Sequence, residues 1–443
     1  MLGSLKALQG GVIRLVAPTS SLLKSVSPVQ QVLSSRNIVL KSHLDLPEDY
    51  PEPFPYKEER LTLTKCVLDG TQKRFHQNSR LIVVEGNVGC EKENVAKELA
   101  DQFGMLYMPE FKMQDILIDR YGNDLRDYYH LFPKSFRIPD EEMFCKNPYS
   151  DMTAVMSERI FNCKFDQYLN ALAHILNTGQ GVVLERSPYS DFVFTNALRA
   201  NNYIGMEYFR FYYYLRKSAI PELLFWPHLV VYLEKPVEKC LENIKKTGSD
   251  AKIATMNEKY LKTIEDSYKD CLREYRRHSK ILVYDWSKEG NVDIVVEDIE
   301  RMDFDFFEWH TNEVFETWHE PVDEVQWAKR RVHVTEKSQA RHHAFSGILT
   351  HEVGELYINP RDAAHFVDVM KREVLKSPYG YGYIKERGDD YMHSKNYLGF
   401  NSQLPEVWYD YFFREAYYDK CITLEGHTDR KADYYDPDYL HHH

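Results

Sequence analysis

The chain has 443 residues, 43% hydrophobic and 28% charged, enough for one large α/β domain with additions. Its formal charge of −12 argues against nucleic acid or an anionic membrane surface as the main partner. No apolar run approaches the roughly 18 residues of a membrane span, and seven cysteines, an odd count with no CxxC pair, describe neither a disulfide framework nor structural zinc.

The charge is uneven. From Met1 to Leu44 there is no Asp or Glu, while Lys6, Arg14, Lys24, Arg36 and Lys41 stand among Ser, Leu and Val. That composition predicts a matrix-directed import segment over residues 1–40, removed near Arg36, because spaced cations favour passage down a membrane potential. A disordered basic tail would share it. Residues 41–79 carry Pro47, Pro51, Pro53 and Pro55, a spacing that predicts an extended N-terminal arm lying on a surface.

Regular structure is expected from Arg80. Leu81 to Val84 read as a buried parallel strand, followed by a glycine turn and a helix with Val95, Leu99 and Phe103 on one face. Residues 154–177 predict a long helix closed by Gly179 and Gly181, then a strand over residues 181–184. Strands are also predicted at 229–233 and 281–284, separated by a helix opened by Pro236 and another carrying Leu261, Ile264, Tyr268, Cys271 and Tyr275, with a last helix near residues 292–299. This alternation over residues 80–305 means an α/β, doubly wound parallel sheet. Beyond Asp305 it ceases. Trp309, Trp318, Trp327, Trp408 and the Tyr-Gly run at residues 379–383 mark residues 306–443 as an aromatic-rich C-terminal extension, expected to pack on neighbouring subunits or else to wrap its own domain.

The turn after the first strand, Gly86, Asn87, Val88, Gly89, Cys90, Glu91 and Lys92, sits where a phosphate loop belongs, since N–H groups at a helix start and a following Lys cradle phosphate. Against GxxxxGK[ST], Gly86 and Lys92 match. Glu91 replaces the second glycine and Glu93 the hydroxyl that ligates Mg²⁺, so the loop places two carboxylates at an anion site. At 4 Å, like charges repel by about 1 kcal/mol in water and about 4 kcal/mol at an effective dielectric of 20.

Glu185-Arg186-Ser187 after a buried strand, then Tyr189-Ser190-Asp191, together with Glu85-Gly86-Asn87-x-Gly89, resembles the deoxyribonucleoside kinase family. The resemblance implies a P-loop nucleoside kinase fold, covering residues 80–305 well and the extension weakly. On it, Lys92 matches the phosphate-loop lysine, Glu185 and Arg186 the carboxylate and arginine near the transfer centre, and Glu110, in Met108-Pro109-Glu110, the region of the catalytic base, with its Glu-Pro order reversed. The kinases' lid arginines have no counterpart, for residues 217–272 contain no Arg; Lys245, Lys246 and Lys252 lack the bidentate fork. Read from the residues alone, Glu185 and Arg186 form a buried ion pair as readily as a ligand site, Lys92 is solvated as readily as engaged, and Glu110 reads first as a surface carboxylate. His310, His319, His342 and His343 lack paired spacing and read as surface residues, so no metal site is expected.

The strings at residues 179–187, 191–194 and 227–232 are similar to the kinase-like accessory subunits of mitochondrial complex I. This implies a non-catalytic scaffold or assembly role on the matrix side, peripheral to the inner membrane. Its partners would be other complex I subunits, membrane-arm subunits among them. The pocket, with no catalytic residue and no required cofactor, keeps room for a nucleotide. The alternative is an active mitochondrial deoxyribonucleoside kinase using ATP and Mg²⁺, with Glu110 as base.

Overall fold

The computed structural model describes residues 12–15, 49–57, 61–118, 124–288, 290–305, 308, 313–345 and 350–374. Six parallel strands form one sheet: β1 (Val12–Leu15), β2 (Leu81–Gly86), β3 (Leu106–Met108), β4 (Val182–Glu185), β5 (Leu229–Glu234) and β6 (Lys280–Asp285), in the order β1-β6-β5-β2-β4-β3. Central β2 is buried throughout, so Leu81 to Val84 are apolar on both faces, with Glu85 the buried exception near its C-terminal end. Leu81 and Val83 join one core with the long helix, whereas Ile82 and Val84 join a second core on the opposite face.

The expected helices are present as Lys92–Phe103, Met152–Thr178, Val237–Thr247, Glu258–His278 and Val292–Glu300, and two more, Phe192–Ala200 and Met206–Ala219, lie between β4 and β5. Pro236 precedes its helix as the N-cap rather than opening it from within. Gly179 ends the long helix in the left-handed region at φ 79°, where a Cβ would lie 2.2 Å from the Arg74 carbonyl oxygen.

One expectation changes, and of the two readings of the extension the described residues show one. The arm is not wholly extended: residues 49–57 run along the domain, with Phe54 N–H donating to the Asn177 carbonyl at 2.9 Å, but Leu63–Leu68 is a helix capped by Thr62. The extension, where described, wraps its own domain. Helix Glu324–Glu336 packs on both Leu63–Leu68 and Met152–Thr178, and Ser338–Phe345 packs on Met206–Ala219. Trp318 and Trp327 are core residues, and Phe366 stacks on Phe136 at 4.1 Å. The physical reason is a polar row on the long helix. Asp166, Asn170 and Asn177 are buried there and receive Arg341, Lys337 and Arg331 from the extension. Trp309, Trp408 and residues 379–383 lie outside the described residues.

Candidate functional site

The sheet places β2, β4 and the end of β3 side by side, so the segments leaving their C-terminal ends converge. The loop after β2 turns tightly. A Cβ on Gly86 would meet Cys90 Sγ at 2.6 Å, and Gly89 adopts φ 80°. Glu91 adopts φ 63°, ψ 33°, the left-handed conformation for which a glycine is suited, and therefore carries a side chain at a strained position. Its carboxylate, half exposed, lies 3.2 Å from Lys235 Nζ.

The loop is tied down from within. Asn87 Oδ1 accepts the Val88 N–H at 2.8 Å, removing a donor that a phosphate would use, and Asn87 Nδ2 donates to the Leu261 carbonyl at 3.1 Å. Asn243 Nδ2 donates to the Gly89 carbonyl at 3.0 Å. Cys90 is buried, which pushes its thiol pKa up; it packs rather than reacts.

Lys92 opens the helix after the loop. Its Nζ reaches Glu110 Oε2 at 2.7 Å and Glu185 Oε2 at 3.4 Å. Arg186, at φ 59°, pairs with the other oxygen of Glu110, donates to the Gly86 carbonyl at 3.3 Å and lies 4.3 Å from the centre of the Phe194 ring. Glu185 accepts from the Tyr107 hydroxyl. The predicted site residues thus come together, with two corrections. Arg186 pairs with Glu110 and not with its neighbour Glu185, because β4 ends at Glu185 and the left-handed backbone at Arg186, φ 59°, re-aims its side chain, while Glu185 meets Lys92. Glu110 and Lys92 are not solvated surface groups; they form one network.

That network is self-compensated. Burial pushes the Glu110 carboxyl pKa up, but Arg186, Lys92 and Lys164 outweigh it and hold the group well below the usual carboxylate range. Such a carboxylate is a weak proton acceptor, and a phosphate would have to displace it from both cations. The exposed Glu93 adds negative charge at the helix start.

Several members escaped sequence reasoning. Glu85 is fully buried and accepts from the Tyr268 and Tyr275 hydroxyls at 3.1 and 3.0 Å, with burial pushing its carboxyl pKa up. Lys164 pairs with Asp191 at 2.7 Å, and Tyr212 donates to the same carboxylate at 2.8 Å. A lysine inside an otherwise apolar helix face, three residues after Phe161, was the available signal for Lys164. Among the described residues no cluster of His, Cys, Asp or Glu is suited to a metal ion, and no helix is long and apolar enough to cross a membrane.

Residues 82–323 match the deoxynucleoside kinase family. The chain is 35% identical over 251 residues to NADH dehydrogenase [ubiquinone] 1 alpha subcomplex subunit 10, mitochondrial, of Rattus norvegicus, covering 56% of this chain and 68% of that protein. It is 25% identical over 235 residues to deoxyguanosine kinase of Dictyostelium discoideum, covering 53% of this chain and 73% of that protein. Deoxyadenosine kinase from M. mycoides with bound dATP aligns over 49% of this chain and 96% of its own, at 18% identity and a TM-score of 0.37.

Proposed function

Since the chain belongs to the deoxynucleoside kinase family, we propose that it serves mitochondrial complex I as a kinase-like accessory subunit, a scaffold whose nucleotide pocket has lost its chemistry. The observation that carries this reading is the phosphate loop itself. Glu91 occupies the left-handed glycine position, Glu93 stands where a Mg²⁺-ligating hydroxyl belongs, and Lys92 and Arg186 are neutralised by Glu110 and Glu185. The identity to subunit 10 of the rat complex supplies the assembly.

The finer reading is a matrix-side subunit, peripheral to the inner membrane and in contact with membrane-arm subunits. Apolar side chains stand exposed on two helices that pack together, Leu63, Val67 and Leu68 on Leu63–Leu68 and Val325 on Glu324–Glu336, with Val322 just before the latter, and exposed apolar groups of this kind are what a partner covers. We assign residues 1–40 to import, 41–79 to an arm, 80–305 to the kinase-like domain and 306–443 to an extension whose residues beyond 374 dock neighbours. Removal near Arg36 takes β1 away and leaves five strands with β6 at the edge; mass spectrometry of the mitochondrial protein's N-terminus tests this.

Native-gel fractionation of detergent-solubilised mitochondria, probed for this chain and stained for NADH dehydrogenase activity, tests the main proposal. Co-migration of nearly all the protein with that activity is expected. Migration near its own mass would overturn it and favour the kinase alternative, which the survival of Lys92, Glu110, Glu185 and Arg186 in one cluster supports. That alternative requires phosphorylation of a deoxynucleoside at a rate of order 1 per second.

A further inference from the structure

At the end of the sheet opposite the phosphate loop, where β2 and β5 begin, a cleft of about 460 Å³ opens between Arg80 and the residues that follow the kinase-like domain. The volume is that of a small-molecule pocket. Phe75, Phe304, Phe315, Trp318 and Trp327 supply aromatic faces to its walls, and Gln72, His76, Gln77 and Ser79 supply a polar edge. Arg80 and Asp305 are its permanently charged lining residues, since burial and the Arg80 charge hold His228 and His319 below the ordinary imidazole pKa.

Hydrogen-bond accounting at Arg80 leaves an acceptor missing. His228 is fully buried, and its Nδ1 lies 3.1 Å from the Leu81 N–H, which it accepts. A neutral imidazole has one acceptor and one donor, so Nε2 carries the proton. That Nε2–H faces Arg80 Nη1 at 3.5 Å, and a guanidinium offers donors alone. Two donors therefore point at one another. Arg80 Nε, also out of solvent, has no partner. The guanidinium's counter-ion is Asp305, whose side chain is 75% exposed, a surface pairing that contributes little.

We propose that this cleft binds a small aromatic carboxylate, its ring held among the aromatic walls and its carboxylate accepting from Arg80 and His228 in place of Asp305. The two converging donors call for an anionic oxygen, and flat aromatic walls favour a ring. The site is separate from the phosphate loop.

Calorimetric titration of the full-length chain with 2-naphthoate, and with the uncharged 2-naphthamide, tests it. One saturable site for naphthoate is expected, with naphthamide at least about tenfold weaker, the loss of a charge-assisted hydrogen bond. Arg80→Gln weakens naphthoate binding about tenfold or more. Asp305→Asn, at an exposed position that leaves folding intact, keeps or tightens it by removing the competing carboxylate. Absence of saturable binding overturns the proposal, as does a weakening by Asp305→Asn equal to that by Arg80→Gln, or loss of binding in Lys92→Ala, which would place the anion at the phosphate loop.

Discussion

Glu91 and Glu110 decide between a working phosphate loop and a closed one. Glu91 holds a backbone conformation that a glycine would adopt without strain, and Glu110 occupies both cations that would meet phosphate. Glu110→Gln leaves Lys92 and Arg186 without their shared counter-charge and should destabilise the domain by about 3 kcal/mol in denaturant titrations. The same variant should show a larger thermal shift with ATP than the unmutated chain, because its cations are freed; an identical response in both would show that Glu110 does not compete with the nucleotide. His174 gives a pH prediction. Burial pushes its pKa down to about 4, with Nδ1 accepting from Tyr56 Oη at 3.0 Å and Nε2 donating to Gln180 at 2.9 Å. Unfolded, the imidazole titrates near pH 6.5, so between about pH 6.5 and 4 the unfolded chain binds the extra proton and stability falls as pH falls, by about 3 kcal/mol in all. His174→Gln should remove about one proton from the slope of stability against pH in that window.

Among the elements, the long helix Met152–Thr178 carries the most information. Its apolar side was readable from periodicity, and its C-terminus from Gly179. Its polar row was not, because Asp166, Asn170 and Asn177 look like an ordinary solvated face until the extension's cations cover them. Asp166 is buried and bonded to the Arg341 guanidinium, with Nε at 2.8 Å. Asp166→Ala should therefore cost about 3–5 kcal/mol by stranding that cation, and the double variant with Arg341→Met should recover much of it. Additive losses in a double-mutant cycle would show that the pair does not interact. The same reasoning explains Arg186: adjacency with Glu185 suggested a pair, but the left-handed turn just past the strand gave Arg186 to a carboxylate 76 positions earlier.

At the scale of the whole molecule, the described extension closes over the domain; the proposed docking on neighbours therefore rests on the residues beyond 374 and the exposed apolar side chains near Leu68, and both are open to test. Deleting residues 408–418 should reduce incorporation into complex I several-fold on native gels while leaving the thermal stability of the purified chain within a few degrees. Unchanged incorporation would remove the tail from the interface. Lys92→Ala should leave assembly and NADH oxidation nearly intact if the pocket is vestigial; assembled complex with lost activity would contradict that.

What followed from the chain itself was the parallel sheet, its helices and the loop of Gly86, Gly89 and Lys92, because hydrophobic period and turn chemistry act over a few neighbouring residues. Glu110, Glu185 and Arg186 were marked by the family resemblance, and read from the residues alone Glu110 was a surface carboxylate. Which charges meet was settled by tertiary structure alone. Ion pairs such as Arg186–Glu110 and Arg341–Asp166, and the facing donors of Arg80 and His228, join residues 76, 175 and 148 positions apart. Their partners depend on how strands and helices are set against one another, a relation that no local pattern encodes.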